Sequence, residues 1–338
     1  MLILVYSNFN RKRKDLVNHK KPQKTADVGW RPILIIAAVG LLPFLFMLVP
    51  AQPKGPGRPD GGADENLISL KERYFREKAR NKSSWWLEKV PHPSESARIH
   101  AIITNRVANI QDIISRYRSL SPLTEEIGRH FEKFYVTLAL DERRSATVMT
   151  DEERKEQIGK APELTFIARE TAPRMGTPLS LYWRSDWGMM MNAVDHPPVA
   201  FAGFLFHELG HGLLHPIRAD TAYHDPQSRE YILEECRMHE LETLVDDQAS
   251  DGKFSAAISR FLAKTRRSAS APEALRNIDM ALVRELDQAF GATDAGIETA
   301  SLLFAEYMMA IGLRHIKEHH GGDEEKIALF RWTQDILQ

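Results

Sequence analysis

Ile99, Ile102, Ile103, Val107, Ile110, Ile113, Ile114 and Tyr117 recur at steps of three and four residues. That is the period of one helix face, so 97–120 is predicted to be an amphipathic helix with this stripe in the core. Shorter apolar runs follow. ELTFIA (163–168), LSLYW (179–183) and GMMMNAV (188–194) read as strands, and Asp186 with Gly188 predicts a hairpin or meander between the last two. DHPP (195–198) ends the strands, and a helix starts near Val199. Ser228 is placed to cap a helix that ends near Gly252. Further helices are predicted over 253–265, 272–290, 293–319 and 323–337, while the charged stretch 141–160 reads as a solvated helix or loop.

One apolar run differs from all of these. Pro32 to Ala51 carries no charged or strongly polar residue, and about 20 such residues as a helix reach across a bilayer core of roughly 30 Å. Arg11, Lys12, Arg13, Lys14, Lys20, Lys21, Lys24 and Arg31 precede it, and only Lys54 and Arg58 follow closely. The expectation is a single-pass anchor contacting the lipid bilayer through 32–51, with a cytoplasmic N-terminus and the rest periplasmic or extracellular. The basic leader and the long apolar run favour an uncleaved anchor over a removed signal. The expected organisation is a basic segment (1–31), the anchor (32–51), a Pro/Gly-rich linker (52–66) and one domain (67–338). Within that domain a core lies at about 163–252, with helical flanks at 67–162 and 253–338.

Composition narrows the classes. Of 338 residues, 43% are hydrophobic and 27% charged, and the net charge is −1. That balance describes a globular protein and gives no electrostatic case for a nucleic-acid partner. The single cysteine, Cys236, excludes an internal disulfide and any cysteine-rich zinc cluster; it reads as a buried structural residue.

The chemistry concentrates in FLFHELGHGLLHP (204–216). His207 and His211, four residues apart on a helix, project from one face and can share one zinc ion. Glu208, about 100° around, misses the metal yet reaches a water beside it, as a general base must. A buried helix with incidental histidines is the plain alternative, but Phe204, Leu205, Phe206, Leu209, Leu213 and Leu214 surround the motif with helix-compatible residues and Gly210 permits close packing.

A catalytic zinc needs a third protein ligand and an open position. A third histidine further along the same motif is absent, because Leu214 and Ile217 stand where a glycine and histidine would be needed. His215 lies about 12 Å along the axis from His207 in a straight helix, too far to share one ion. It reads as a helix cap or an outer hydrogen-bonding group. The helix 229–249 offers Glu234, Glu235, Glu240 and Glu242. Glu242 is the first choice, because Asp246 lies one turn on and can orient a ligand histidine, and small Ala249 permits close packing. Glu235 and His239 share the stripe and remain alternatives.

His207-Glu208, His211, Glu242 and Asp246 together resemble the gluzincin pattern of HExxH followed by ExxxD. HELGHGLLHP is similar to the ImmA/IrrE-type metallopeptidases, and Glu242, Asp246 and Ala249 match their second motif with Val245 in place of alanine. The likeness spans about 179–251 and leaves the flanking helices unmatched. It implies an α+β, mostly helical fold with a zincin-like core: a small sheet, an HExxH helix and a second helix carrying the glutamate ligand. It also implies an edge strand that aligns a substrate backbone, for which GMMMNAV is the candidate, and an oxyanion stabiliser, with Tyr223 and His224 as candidates and Tyr307 as a further one.

The reading from sequence is therefore a membrane-anchored zinc metallopeptidase. One Zn2+ is held by His207, His211 and Glu242, Glu208 is the catalytic base, Asp246 and His215 support the ligands, and a peptide or protein is the substrate. The alternative is a non-catalytic metal-binding sensor or scaffold on the same fold.

Overall fold

The computed structural model describes residues 61–80, 96–139, 145–157, 160–167, 188–192, 197–214, 227–265 and 270–337. In chain order these form α1 (Gly61–Lys78), α2 (Ser96–Tyr117), α3 (Pro122–His130), β1 (Tyr135–Ala139), β2 (Ser145–Thr147), α4 (Asp151–Gln157), β3 (Glu163–Ile167) and β4 (Gly188–Asn192). Then come α5 (Pro198–Leu214), α6 (Arg229–Ala249), α7 (Lys253–Leu262), α8 (Ala271–Leu275), α9 (Met280–Phe290), α10 (Ile297–Glu318) and α11 (Asp323–Leu337). The fold is α+β and mostly helical.

The four strands make one sheet in the order β2-β1-β3-β4. β1 pairs with β3 and β3 with β4 in parallel, while β2 is antiparallel to β1. In register, Thr137 faces Thr165 and Thr165 faces Met190. The partner of β4 is thus β3, in parallel rather than in a hairpin; the 179–183 run proposed to pair with it lies outside the described residues. β1 and β2 were not expected from the sequence.

Two apolar cores meet at α5 and α6. One gathers α2, α3, β1, β3 and the inner face of α5, with Ile103, Ile110, Leu164 and Phe166 all buried. The α2 stripe predicted above supplies Ile99, Ile103, Ile110 and Ile114 of this core, and α3 adds Ile127. The other gathers α1 and α7 to α11 around Phe254, Phe290, Phe304 and Tyr307. α6 belongs to both: Ile232 and Cys236 face the second core, and Met238, Leu241 and Val245 face the first. Between these apolar flanks runs a stripe made by Glu235, His239, Glu242 and Asp246, which share one face at helical spacing.

Local chemistry sets the helix ends. Ser228 caps α6 as expected, its Oγ accepting from the Tyr231 amide at 3.2 Å. The helix predicted over 272–290 is two helices, because Asp279 turns away from helical geometry and its carboxylate accepts from the amides of Ala281 and Leu282 to start α9. α1 begins at Gly61, inside the stretch read as linker. His315, near the end of α10, is buried and stacks on His319 with ring centres 4.2 Å apart.

The expectation of a transmembrane helix, and with it a single-pass localisation with an external catalytic domain, is corrected. Among the described residues no helix is long and apolar enough to cross a membrane. The stretch 32–51 lies outside the described residues, as does the basic segment before it.

α1 is fixed to α9 and α10 by a buried polar knot. Lys78, 2% exposed, pairs with Asp287 Oδ2 at 2.9 Å and donates to the Thr293 carbonyl at 2.9 Å. The other oxygen of Asp287 accepts from Tyr74 and from Tyr307, each at 2.8 Å. Tyr307 is therefore committed to this knot and is not an oxyanion donor.

Candidate metal centre

α5 and α6 run antiparallel. Gly203 meets Asp246, His207 meets Glu242, Gly210 meets Met238, and His211 meets Glu234 and Glu235. Rising numbers on one helix match falling numbers on the other. The glycines set the spacing: a Cβ on Gly203 would stand 2.0 Å from Asp246 Oδ1, and one on Gly210 would stand 2.4 Å from Met238 Sδ. Gly203→Ala must push α6 away or displace a buried carboxylate. It is expected to cost about 1–3 kcal/mol, read as a lowered urea midpoint with unchanged slope; an unchanged midpoint would show that the crossing is looser than this.

The close crossing brings the two imidazoles together. His207 Nε2 and His211 Nε2 lie 3.2 Å apart. The Glu235 carboxylate spans them, with Oε2 3.5 Å from His207 Nε2 and Oε1 3.5 Å from His211 Nε2. An ion bonded tetrahedrally at about 2.0–2.1 Å holds its ligands roughly 3.3–3.4 Å apart. The three groups already have that spacing, so this donor set fits zinc.

The other ring nitrogens are held by carboxylates. His207 Nδ1 donates to Glu242 Oε2 at 2.9 Å, and His211 Nδ1 donates to Glu234 Oε1 at 2.8 Å. In the neutral imidazole each bond favours the proton on Nδ1, which directs the Nε2 lone pair at the shared point, the arrangement found in histidine–metal sites. His239 Nδ1 also reaches Glu242 Oε2, at 3.1 Å. Glu242, read from sequence as the third ligand, thus sits behind His207 rather than beside the two Nε2 atoms. Asp246 lies one turn further on, against Gly203, and makes no bond to a histidine nitrogen. His215, Tyr223 and His224 lie outside the described residues.

Burial and neighbouring charges tune these groups. Burial opposes charge on His207, but Glu242 and Glu235 outweigh it and raise its pKa well above the ordinary histidine value. His211 is likewise disfavoured as a cation by burial, yet Glu235 and Glu234 carry it up to about 9. Burial pushes Glu235 up, and His211 and His207 pull it well below the usual carboxylate range. Glu242 falls to about 2 against the same burial, through His207 and His239. Metal uptake at the Nε2 atoms would release imidazole protons.

Glu208 is different. Burial raises its pKa to about 7, partly offset by His207 and His211. Its Oε2 is buried with no hydrogen-bond partner among the described residues. A buried carboxylate with a vacant acceptor, one residue from a ligand histidine, can take a proton from a reacting water and give it up again.

Three nearby groups were not chosen from the sequence. Glu234 is 100° around α6 from its neighbour Glu235, so a one-face stripe does not select it. Tyr231 lies beside Glu235, and its phenol is raised first by burial and then by that carboxylate. Glu306, on α10, is buried near Glu242 and Asp246; its one signal was an acidic residue inside the apolar run SLLFAEYMMAIGL. Cys236 is buried as expected, and burial pushes its thiol up to about 12, which suits an inert structural role.

No protein-family model matches the chain, and no curated protein or solved structure matches it significantly.

Proposed function

We propose that this protein is a zinc-dependent peptidase with a zincin-like core, and that Glu235 completes the His207–His211 site. The supporting observation is the convergence of both Nε2 atoms and the Glu235 carboxylate at ligand spacing, beside a buried Glu208 with an unsatisfied oxygen. When bound, zinc supplies Lewis-acid polarisation and brings the pKa of water at the site toward neutrality.

The residues divide the remaining work. Glu242 and Glu234 hold the two imidazoles by Nδ1 and fix their orientation. Glu208 accepts the proton of the attacking water and passes it to the nitrogen of the departing amine. β4, which packs against α5, is the strand we assign to align the substrate backbone. Low-polarity surroundings strengthen each of these interactions.

Zinc-loaded protein is expected to cut members of a mixed peptide library and to stop when the metal is chelated. Stoichiometric zinc without cleavage at any loading would replace this reading with a metal-binding sensor or scaffold. The ligand choice has its own test. Glu235→Gln is expected to weaken zinc by more than 100-fold, whereas Glu242→Gln falls in the range of about 10–100-fold typical of outer groups. The reverse order in a competition titration would return Glu242 to the ligand position.

A further inference from the structure

Glu242, Asp246 and Glu306 form a second cluster next to the histidines, on the side away from the Nε2 atoms. All three are buried, with Asp246 at 0% and Glu306 at 4% exposure. One oxygen from each lies within 4.8 Å of the others. Asp246 Oδ1 and Oδ2 and Glu306 Oε1 accept no hydrogen bond from any donor group of the described residues, and the hydrogen bonds among Asp246, Glu306 and Glu242 require a proton on one of the carboxyls. Three buried carboxylates thus lie together where none has a lysine or arginine counter-charge in the described contacts. Buried acids without a partner are strongly disfavoured as anions, and both Asp246 and Glu306 are raised well above the ordinary carboxylate range, by burial first.

We propose that this cluster is a site for a second, hard divalent cation of the calcium class, distinct from the zinc site. The donors are all oxygens, which hard cations prefer and which zinc in a histidine site does not need. Bonds of about 2.3–2.6 Å place opposite ligand oxygens no more than roughly 5 Å apart, and the three oxygens lie within 4.8 Å of one another, inside that limit. Magnesium suits the site less well, because it keeps several waters that a closed pocket has little room for. The site joins three elements: Glu242 and Asp246 come from α6, Glu306 from α10, and the backbone at Gly203 of α5 forms a wall against Asp246. A cation here ties α10 to the α5–α6 crossing. It also fixes Glu242, the carboxylate that orients His207. This inference goes beyond the peptidase reading and does not require it.

The test uses the full chain, loaded with zinc so that the histidine site is filled, and titrated with Ca2+ and separately with Mn2+. One equivalent of Ca2+ beyond zinc is expected by calorimetry. The thermal midpoint should rise by about 5–10 °C at a Ca2+ concentration 100-fold above Kd. Glu306→Gln should lose both the extra equivalent and the midpoint shift while keeping its zinc. Asp246→Asn is the second variant, should the first fail to fold. If the wild type takes neither cation beyond zinc, the cluster holds shared protons and the proposal fails. It fails equally if a folded variant binds the extra cation as wild type does. A loss of zinc without loss of the Ca2+ shift would count against the peptidase reading alone.

Discussion

Glu208→Gln is expected to leave zinc bound and to slow peptide hydrolysis by about 10²–10⁴-fold. The two side chains have nearly the same shape, so the α5–α6 crossing is undisturbed. What changes is the chemistry at one oxygen. In the native chain Oε2 is buried and unpartnered, and burial has brought the carboxyl to about 7. It can therefore gain and lose a proton within one turnover near neutral pH. The amide of glutamine can do neither. The effect should fall on kcat, with zinc content by atomic emission and the far-ultraviolet spectrum unchanged. A variant that kept its rate within tenfold, at full zinc occupancy, would remove Glu208 from the mechanism.

Lys78→Met should destabilise the fold by about 3–5 kcal/mol, the range for removing one partner of a buried ion pair. The substitution matches the lysine stem in volume but strands Asp287 Oδ2, whose partner stands 2.9 Å away in the native chain. It also strands the Thr293 carbonyl. Burial already raises the Asp287 pKa, with Lys78 the leading opposing influence. Adding Asp287→Asn should recover part of the loss, because it removes the unpaired charge yet keeps an acceptor for Tyr74 and Tyr307. Urea unfolding of the two variants measures this. A single-variant cost under 1 kcal/mol would mean that water reaches the pair.

How much could be read in the sequence depended on how local the information was. The HExxH helix, the Ser228 cap and the α2 stripe were legible because each is set within a few residues. The α+β, mostly helical class followed from them. β1 was missed: FYVTLA is short, follows a charged turn, and gains its place in the sheet from β2 on one side and from β3, more than twenty residues on, on the other. The parallel partnership of β3 and β4 is likewise a tertiary fact that a turn signal near Asp186 could not convey. The third carboxylate shows the limit most clearly. Glu235, His239, Glu242 and Asp246 share one face, so periodicity cannot rank them. Their height along the axis relative to His207 decides, and that height is set by where Gly203 and Gly210 let the helices touch. Glu306 approaches from α10, and only packing reveals what an acid in that apolar run is for.

The knot between α1 and α9 has a consequence for how the chain is made. Tyr74 and Asp287 are 213 residues apart. At a synthesis rate of about 5–20 residues per second, α1 waits roughly 10–40 s after leaving the ribosome before its partner exists. Closing the knot is therefore a step that must wait until α9 and α10 have been made.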